Sequence, residues 1–112
     1  MIKGKRVAIL VADGFEQVEL TDPRKALDEA GAKTQIVSSA ADRVQGWKHF
    51  DKADHFKVDV PLDSARAENF DALLLPGGVA NPDQLRTMPK AVAFVRSFFD
   101  AGKPVAAKSL RK

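Results

Sequence analysis

The residues best placed to do chemistry sit where apolar runs stop. Glu16 follows the apolar residues 7–12 and the pair Asp13-Gly14. A carboxylate just beyond a strand can act as a general acid or base, or as the polar partner of a nucleophile. It can equally be an acid at a helix start, held there by the helix dipole. Gly77 and Gly78 follow the run Leu73-Leu74-Leu75-Pro76. Glycines in that place allow backbone N–H groups to point into a cleft, as an oxyanion hole requires, or they make a tight turn. His49 and His55 lie six residues apart with no third ligand in an obvious motif, so no metal site is expected. The chain has no cysteine, which excludes disulfides and thiolate metal sites. Neither the G-x-G-x-x-G nor the G-x-x-x-x-G-K-[ST] phosphate-binding pattern occurs, and no cofactor is expected.

The elements that must position these residues alternate in type. Residues 6–12 form a continuous apolar run after a basic cap, as suits a strand buried on both faces. Helical spacing begins near Glu16, with Val18 and Leu20 on the apolar side. Thr21-Asp22-Pro23 reads as a cap-plus-proline helix restart, and Gly31 as its stop. Residues 34–38 are a second strand. Residues 44–49 and 56–60 alternate apolar and polar side chains, which predicts a small hairpin-like excursion. Residues 61–69 read as a loop or short helical turn, and residues 70–75 as another buried strand. Asn81-Pro82-Asp83 starts a helix. Pro89 opens a second, with Val92, Val95, Phe98 and Phe99 expected as its core face and Gly102 as its stop. Residues 104–107 open a last strand. This order predicts an α/β fold, a flavodoxin-like parallel sheet sandwiched by helices with a small β-hairpin excursion. In such sheets ligands bind beyond the carboxyl ends of the strands, where Glu16 and Gly77-Gly78 fall.

Composition bounds the function. The chain's 112 residues allow one domain, and 45% hydrophobic with 29% charged residues is ordinary for a folded chain. The net charge of +3 is confined to Lys108, Arg111 and Lys112, because acids and bases balance over residues 1–107. No basic stripe precedes that tail, so no nucleic-acid partner is expected. No apolar run approaches the ~20 residues of a membrane span. The short apolar stretch after the basic start lacks a cleavage pattern, so the expected location is the cytoplasm.

Taken in order, several stretches resemble the ThiJ/PfpI family of the class I glutamine amidotransferase-like fold. They are residues 7–12, Asp13-Gly-Phe-Glu-Gln-Val-Glu-Leu20, Trp47-Lys48-His49, residues 54–59, Phe70-Asp-Ala-Leu-Leu-Leu-Pro-Gly-Gly78 and residues 98–107. The Trp-Lys-His element is most similar to the bacterial intracellular-protease-like, general-stress branch. The resemblance implies a cysteine peptidase, glyoxalase or protein deglycase acting on peptides or small aldehydes, and commonly a homo-oligomer. It implies that Glu16 is the acid beside the nucleophile and that Gly77 and Gly78 form the oxyanion hole. Asp83 falls near a carboxylate that reaches a neighbouring subunit's site in some members.

The chain departs from the family at the nucleophile. The family pattern there is Ile-Cys-His-Gly, and in register Ser109 takes the cysteine position, Leu110 the histidine position and Arg111 the glycine position. A serine nucleophile needs an adjacent base, and none follows. The expectation is therefore the N-terminal portion of one family domain over residues 1–107, incomplete on the C-terminal side. Residues 108–112 are read as a non-family basic tail, and the chain as catalytically inactive. The alternative is a non-catalytic, chaperone-like stress protein acting through exposed apolar surface. A receiver-like domain of flavodoxin type is disfavoured, because residues 12–14 lack a paired-acid pocket.

Overall fold

The structure is a computed structural model of the 112-residue chain, and it describes residues 2–48, 51–77 and 81–107, the backbone alone for 81–83. His49, Gly78 and Ser109 lie outside the described residues.

Five strands form the main sheet. They are β1 (Arg6–Leu10), β3 (Lys33–Ser38), β6 (Val60–Pro61), β7 (Ala72–Leu75) and β8 (Val105–Ala107), in the order β6-β3-β1-β7-β8. All pairings are parallel, with Ile9 opposite Ile36 on one side and Leu74 on the other. β1 sits at the centre because its apolar run has no polar side to turn to water. Ala8, Leu10 and Ala12 point to one face, where they meet Phe70, Phe94 and Phe98. Val7, Ile9 and Val11 point to the other, against Phe15, Leu20 and Ile36. The expected parallel α/β sheet is thus present, with a core on each face.

The excursion is a separate three-stranded sheet of order β2-β4-β5. Here β2 is Phe15–Glu16, β4 is Arg43–Lys48 and β5 is Asp51–Lys57. β4 and β5 pair antiparallel with an irregularity between Gln45 and Trp47. β2 runs parallel to β4, with Phe15 opposite Gly46 and Glu16 opposite Trp47. Boundaries differ from the sequence reading, and the second hairpin strand spans Asp51–Lys57 where 56–60 was expected. Glu16 lies in β2 rather than at a helix start. Val60 leaves the hairpin and joins the main sheet through β6, because Asp59 pins this segment to β3. Its carboxylate accepts the Ile36 N–H at 2.7 Å, and its own N–H donates to the Ile36 carbonyl at 2.9 Å.

The helices bring two further corrections. α1 runs unbroken through Val18–Glu29 with Pro23 inside it, so Thr21-Asp22-Pro23 is not a restart. The start is fixed earlier, where the Gln17 N–H donates to the Trp47 carbonyl and Gln17's own carbonyl receives the N–H groups of Leu20 and Thr21. Pro23 then costs one hydrogen bond, to the Glu19 carbonyl, and burial of Leu20 outweighs that local signal. After β7 come α2 (Asn81–Arg86) and α3 (Pro89–Asp100). In α3 the buried residues are Ala91, Phe94 and Phe98, with Val95 partly covered. Val92 is 43% exposed and Phe99 63%, so half of the expected core face looks outward. The expected stops hold: Gly31 and Gly102 adopt φ of +94° and +71°, which L side chains avoid.

Candidate functional site

The carboxyl ends of β1 and β7 meet the start of α1 around one peptide, that of Gly77. Strand β2 delivers the Glu16 N–H to the Gly77 carbonyl at 2.9 Å. Three residues on, in the first turn of α1, Glu19 places its carboxylate Oε1 3.0 Å from the Gly77 N–H, which it accepts. Gly77 is buried, and Glu16 and Glu19 are both half-buried. Both polar groups of Gly77 are therefore held by the β2–α1 segment. A hydrogen bond from a backbone N–H to a carboxylate is among the stronger ones available to a protein.

The surrounding loops are tied to the same place. The Gln84 side-chain amide of α2 donates to the Asp13 carbonyl at 2.8 Å. The Asp13 carboxylate accepts the Gln45 N–H of the hairpin at 2.9 Å. Gln17 locks the hairpin from the other side: its amide donates to the Asp54 carboxylate at 3.0 Å, and its Oε1 accepts the Asp54 N–H at 2.7 Å. Gly46 makes room for this, because a Cβ there would lie 2.9 Å from Gln17 Oε1 and 3.1 Å from the Phe56 ring.

Of the residues read from the sequence, the structure brings Glu16 and Gly77 together, though Glu16 reaches Gly77 through its backbone. Gly77's N–H is already committed to Glu19, so an incoming anion would find it taken. Asp83 lies in α2 at the same end of the sheet; its side chain and Ser109 lie outside the described residues. Sequence reasoning missed Glu19 as a site residue. Its signal was its place as an acid in the first turn of the helix that follows the strand-end segment. His55 is exposed on β5, and among the described residues no group of three His, Cys, Asp or Glu side chains could hold a metal ion.

A parallel α/β sheet with its polar groups gathered past the strand ends defines a flavodoxin-like class of binding or catalytic domain. Residues 5–109 match the DJ-1/PfpI family, and the chain belongs to that family. Over 101 residues it is 42% identical to Deglycase PH1704 of Pyrococcus horikoshii, covering 90% of this chain and 58% of that protein. Over 104 residues it is 36% identical to General stress protein 18 of Bacillus subtilis, covering 93% of this chain and 59% of that one. Among solved structures, a cysteine-to-alanine mutant of the DJ-1 superfamily protein STM1931 from Salmonella typhimurium superposes with a TM-score of 0.78 at 30% identity. That match covers 92% of this chain and 54% of the other. The chain spans about half the length of the relatives it matches. Among the described residues no helix is long and apolar enough to cross a membrane.

Proposed function

We propose that this chain carries the acid and backbone half of a DJ-1/PfpI deglycase- or peptidase-type site and does not turn over substrate by itself. The observation that carries the reading is the clamp on Gly77. Glu19 and the Glu16 N–H fix this peptide at the carboxyl end of β7. The Gly77 N–H is taken by Glu19, so the clamp supports the site by fixing the backbone and not by receiving the oxyanion itself. Nucleophilic attack would have to come from position 109, where serine stands for the family's cysteine and Leu110 offers no base. The substrate class is that of the family, peptides or small aldehydes, and the assembly a homo-oligomer. The location is the cytoplasm.

The test is turnover of methylglyoxal and of a fluorogenic peptide by the purified chain. The expected rate equals that of buffer. A saturable rate abolished by Ser109→Ala would overturn the inactive reading. A second reading, a chaperone-like stress protein, draws on the exposed Phe99 and Val92. Light scattering of an aggregating client would test it, and no protection at excess chain would count against it.

A further inference from the structure

Gln17 stands between the two residues that hold Gly77. Before it, the Glu16 N–H donates to the Gly77 carbonyl at 2.9 Å; after it, the Glu19 carboxylate accepts the Gly77 N–H at 3.0 Å. Gln17's own groups turn to the hairpin and to α1. Its N–H donates to the Trp47 carbonyl at 2.8 Å. Its side-chain amide donates to the Asp54 carboxylate at 3.0 Å, and its Oε1 accepts the Asp54 N–H at 2.7 Å. Its carbonyl receives the Leu20 and Thr21 N–H groups and so starts α1. The hairpin is shaped to meet it. The Gln45 side-chain amide donates to the Gly46 and Ala53 carbonyls at 2.7 and 3.0 Å, which braces the irregularity of the β4–β5 pairing beside Asp54. Phe56 of β5 also packs on the buried Phe15 of β2, with ring centroids 5.7 Å apart.

We propose that Gln17 is a positioning residue, which makes the geometry of the Gly77 peptide depend on the docking of the β4–β5 hairpin. The order of the bonds gives the reason. The N–H of Glu16 goes to Gly77 and the next N–H, that of Gln17, goes to Trp47, so β2 is held between the main sheet and the hairpin. β2 has only two residues, too few to keep its place by a ladder of its own. Its grip on the hairpin is the Gln17–Asp54 pair. When that pair opens, β2 loses its partner strand and the first turn of α1, which carries Glu19, loses its fixed start. Both bonds to Gly77 then loosen together. Asp54 is exposed and Gln17 half-buried, so breaking their pair changes overall stability little. The effect is instead a local opening, which costs less than unfolding the sheet. This coupling concerns the Gly77 peptide of the proposed site and rests on that reading. Turnover by the chain would overturn the inactive reading and leave the coupling in place, whereas a Gly77 amide indifferent to Gln17 would do the reverse.

The experiment is native-state amide exchange on the full chain, read residue by residue, with the emission of Trp47, the chain's single tryptophan, as a report on the hairpin. In Gln17→Ala the Gly77 N–H is expected to exchange at least about tenfold faster, while Ile9, Ile36 and Leu74 of the central sheet change by about twofold or less. Trp47 emission shifts to the red. Asp54→Ala, at an exposed position, keeps the fold and gives a smaller loss at Gly77, since the Asp54 N–H still reaches Gln17. A swap supplies the rescue. Gln17→Glu alone sets two carboxylates against each other and speeds Gly77 exchange. Adding Asp54→Asn gives the new carboxylate a donor and returns Gly77 to within about threefold of the unsubstituted chain. Gly77 exchange unchanged in both alanine variants, equal acceleration at Gly77 and at Ile9, or a swap that restores nothing would each overturn the proposal.

Discussion

Gly77 is where a single residue carries the most consequence. Its N–H is buried and satisfied by Glu19 alone among the described contacts, at 3.0 Å. Hydrogen bonds to charged groups contribute about 1.5–3 kcal/mol, and a buried donor left unpaired adds its own desolvation cost. Glu19→Ala is therefore expected to lower unfolding stability by about 2 kcal/mol, read by urea denaturation. Glu19→Gln keeps an acceptor and should lose clearly less. Gly46 tests the neighbouring lock. Gly46→Ala drives a methyl into Gln17 Oε1 and the Phe56 ring, and overpacking of this kind costs about 1–3 kcal/mol. The expected signature is a lower melting temperature together with loosened amides at Asp54, seen by hydrogen exchange.

At the scale of elements, α1 and α3 show where local signals and tertiary packing disagree. In α1, Pro23 leaves the Glu19 carbonyl without its helical donor. Pro23→Ala restores the bond while freeing the unfolded chain, an offset of about 0.4–1 kcal/mol. The expected net effect is stabilisation by about 2 kcal/mol, measured by thermal or denaturant unfolding. In α3, adjacent phenylalanines should respond in opposite ways. Phe98 is fully buried and packs edge-to-face on Phe94 at 5.1 Å, so Phe98→Ala should cost about 3–5 kcal/mol. Phe99→Ala should stay within about 0.5 kcal/mol, as exposed substitutions do. The central strands β1 and β7 were legible because each is a short apolar run ended by a glycine or proline pair-turn, whereas the polar β5 and the two-residue β2 carry no such signal. The helix faces were less so. Helical spacing alone cannot tell which side of α3 meets the sheet, and Val92 and Phe99 satisfy the same period as Phe94 and Phe98. The cap-like Thr21-Asp22-Pro23 misled because the true start is set by β2 and the hairpin, partners 30 residues away in sequence at Trp47.

For the whole molecule, the sequence made the parallel sheet, the hairpin excursion and the end of the sheet that carries the polar groups readable. It did not reveal that the Gly77 clamp takes the Glu16 N–H and the Glu19 carboxylate, because the first of these depends on β2 pairing with β4 across the excursion. Nor did it reveal which face of α3 meets the sheet, leaving Phe99 turned away from the core. Family membership and the clamped Gly77 together describe a DJ-1/PfpI domain portion in which the β2–α1 segment holds the peptide at the end of β7. The most direct test of this account is the Gly77 amide in a ¹H–¹⁵N spectrum. The account predicts a downfield, slowly exchanging Gly77 N–H in the native chain and in Glu16→Gln, and an upfield, fast-exchanging one in Glu19→Ala. A Gly77 amide unchanged by Glu19→Ala but displaced by Glu16→Gln would contradict it.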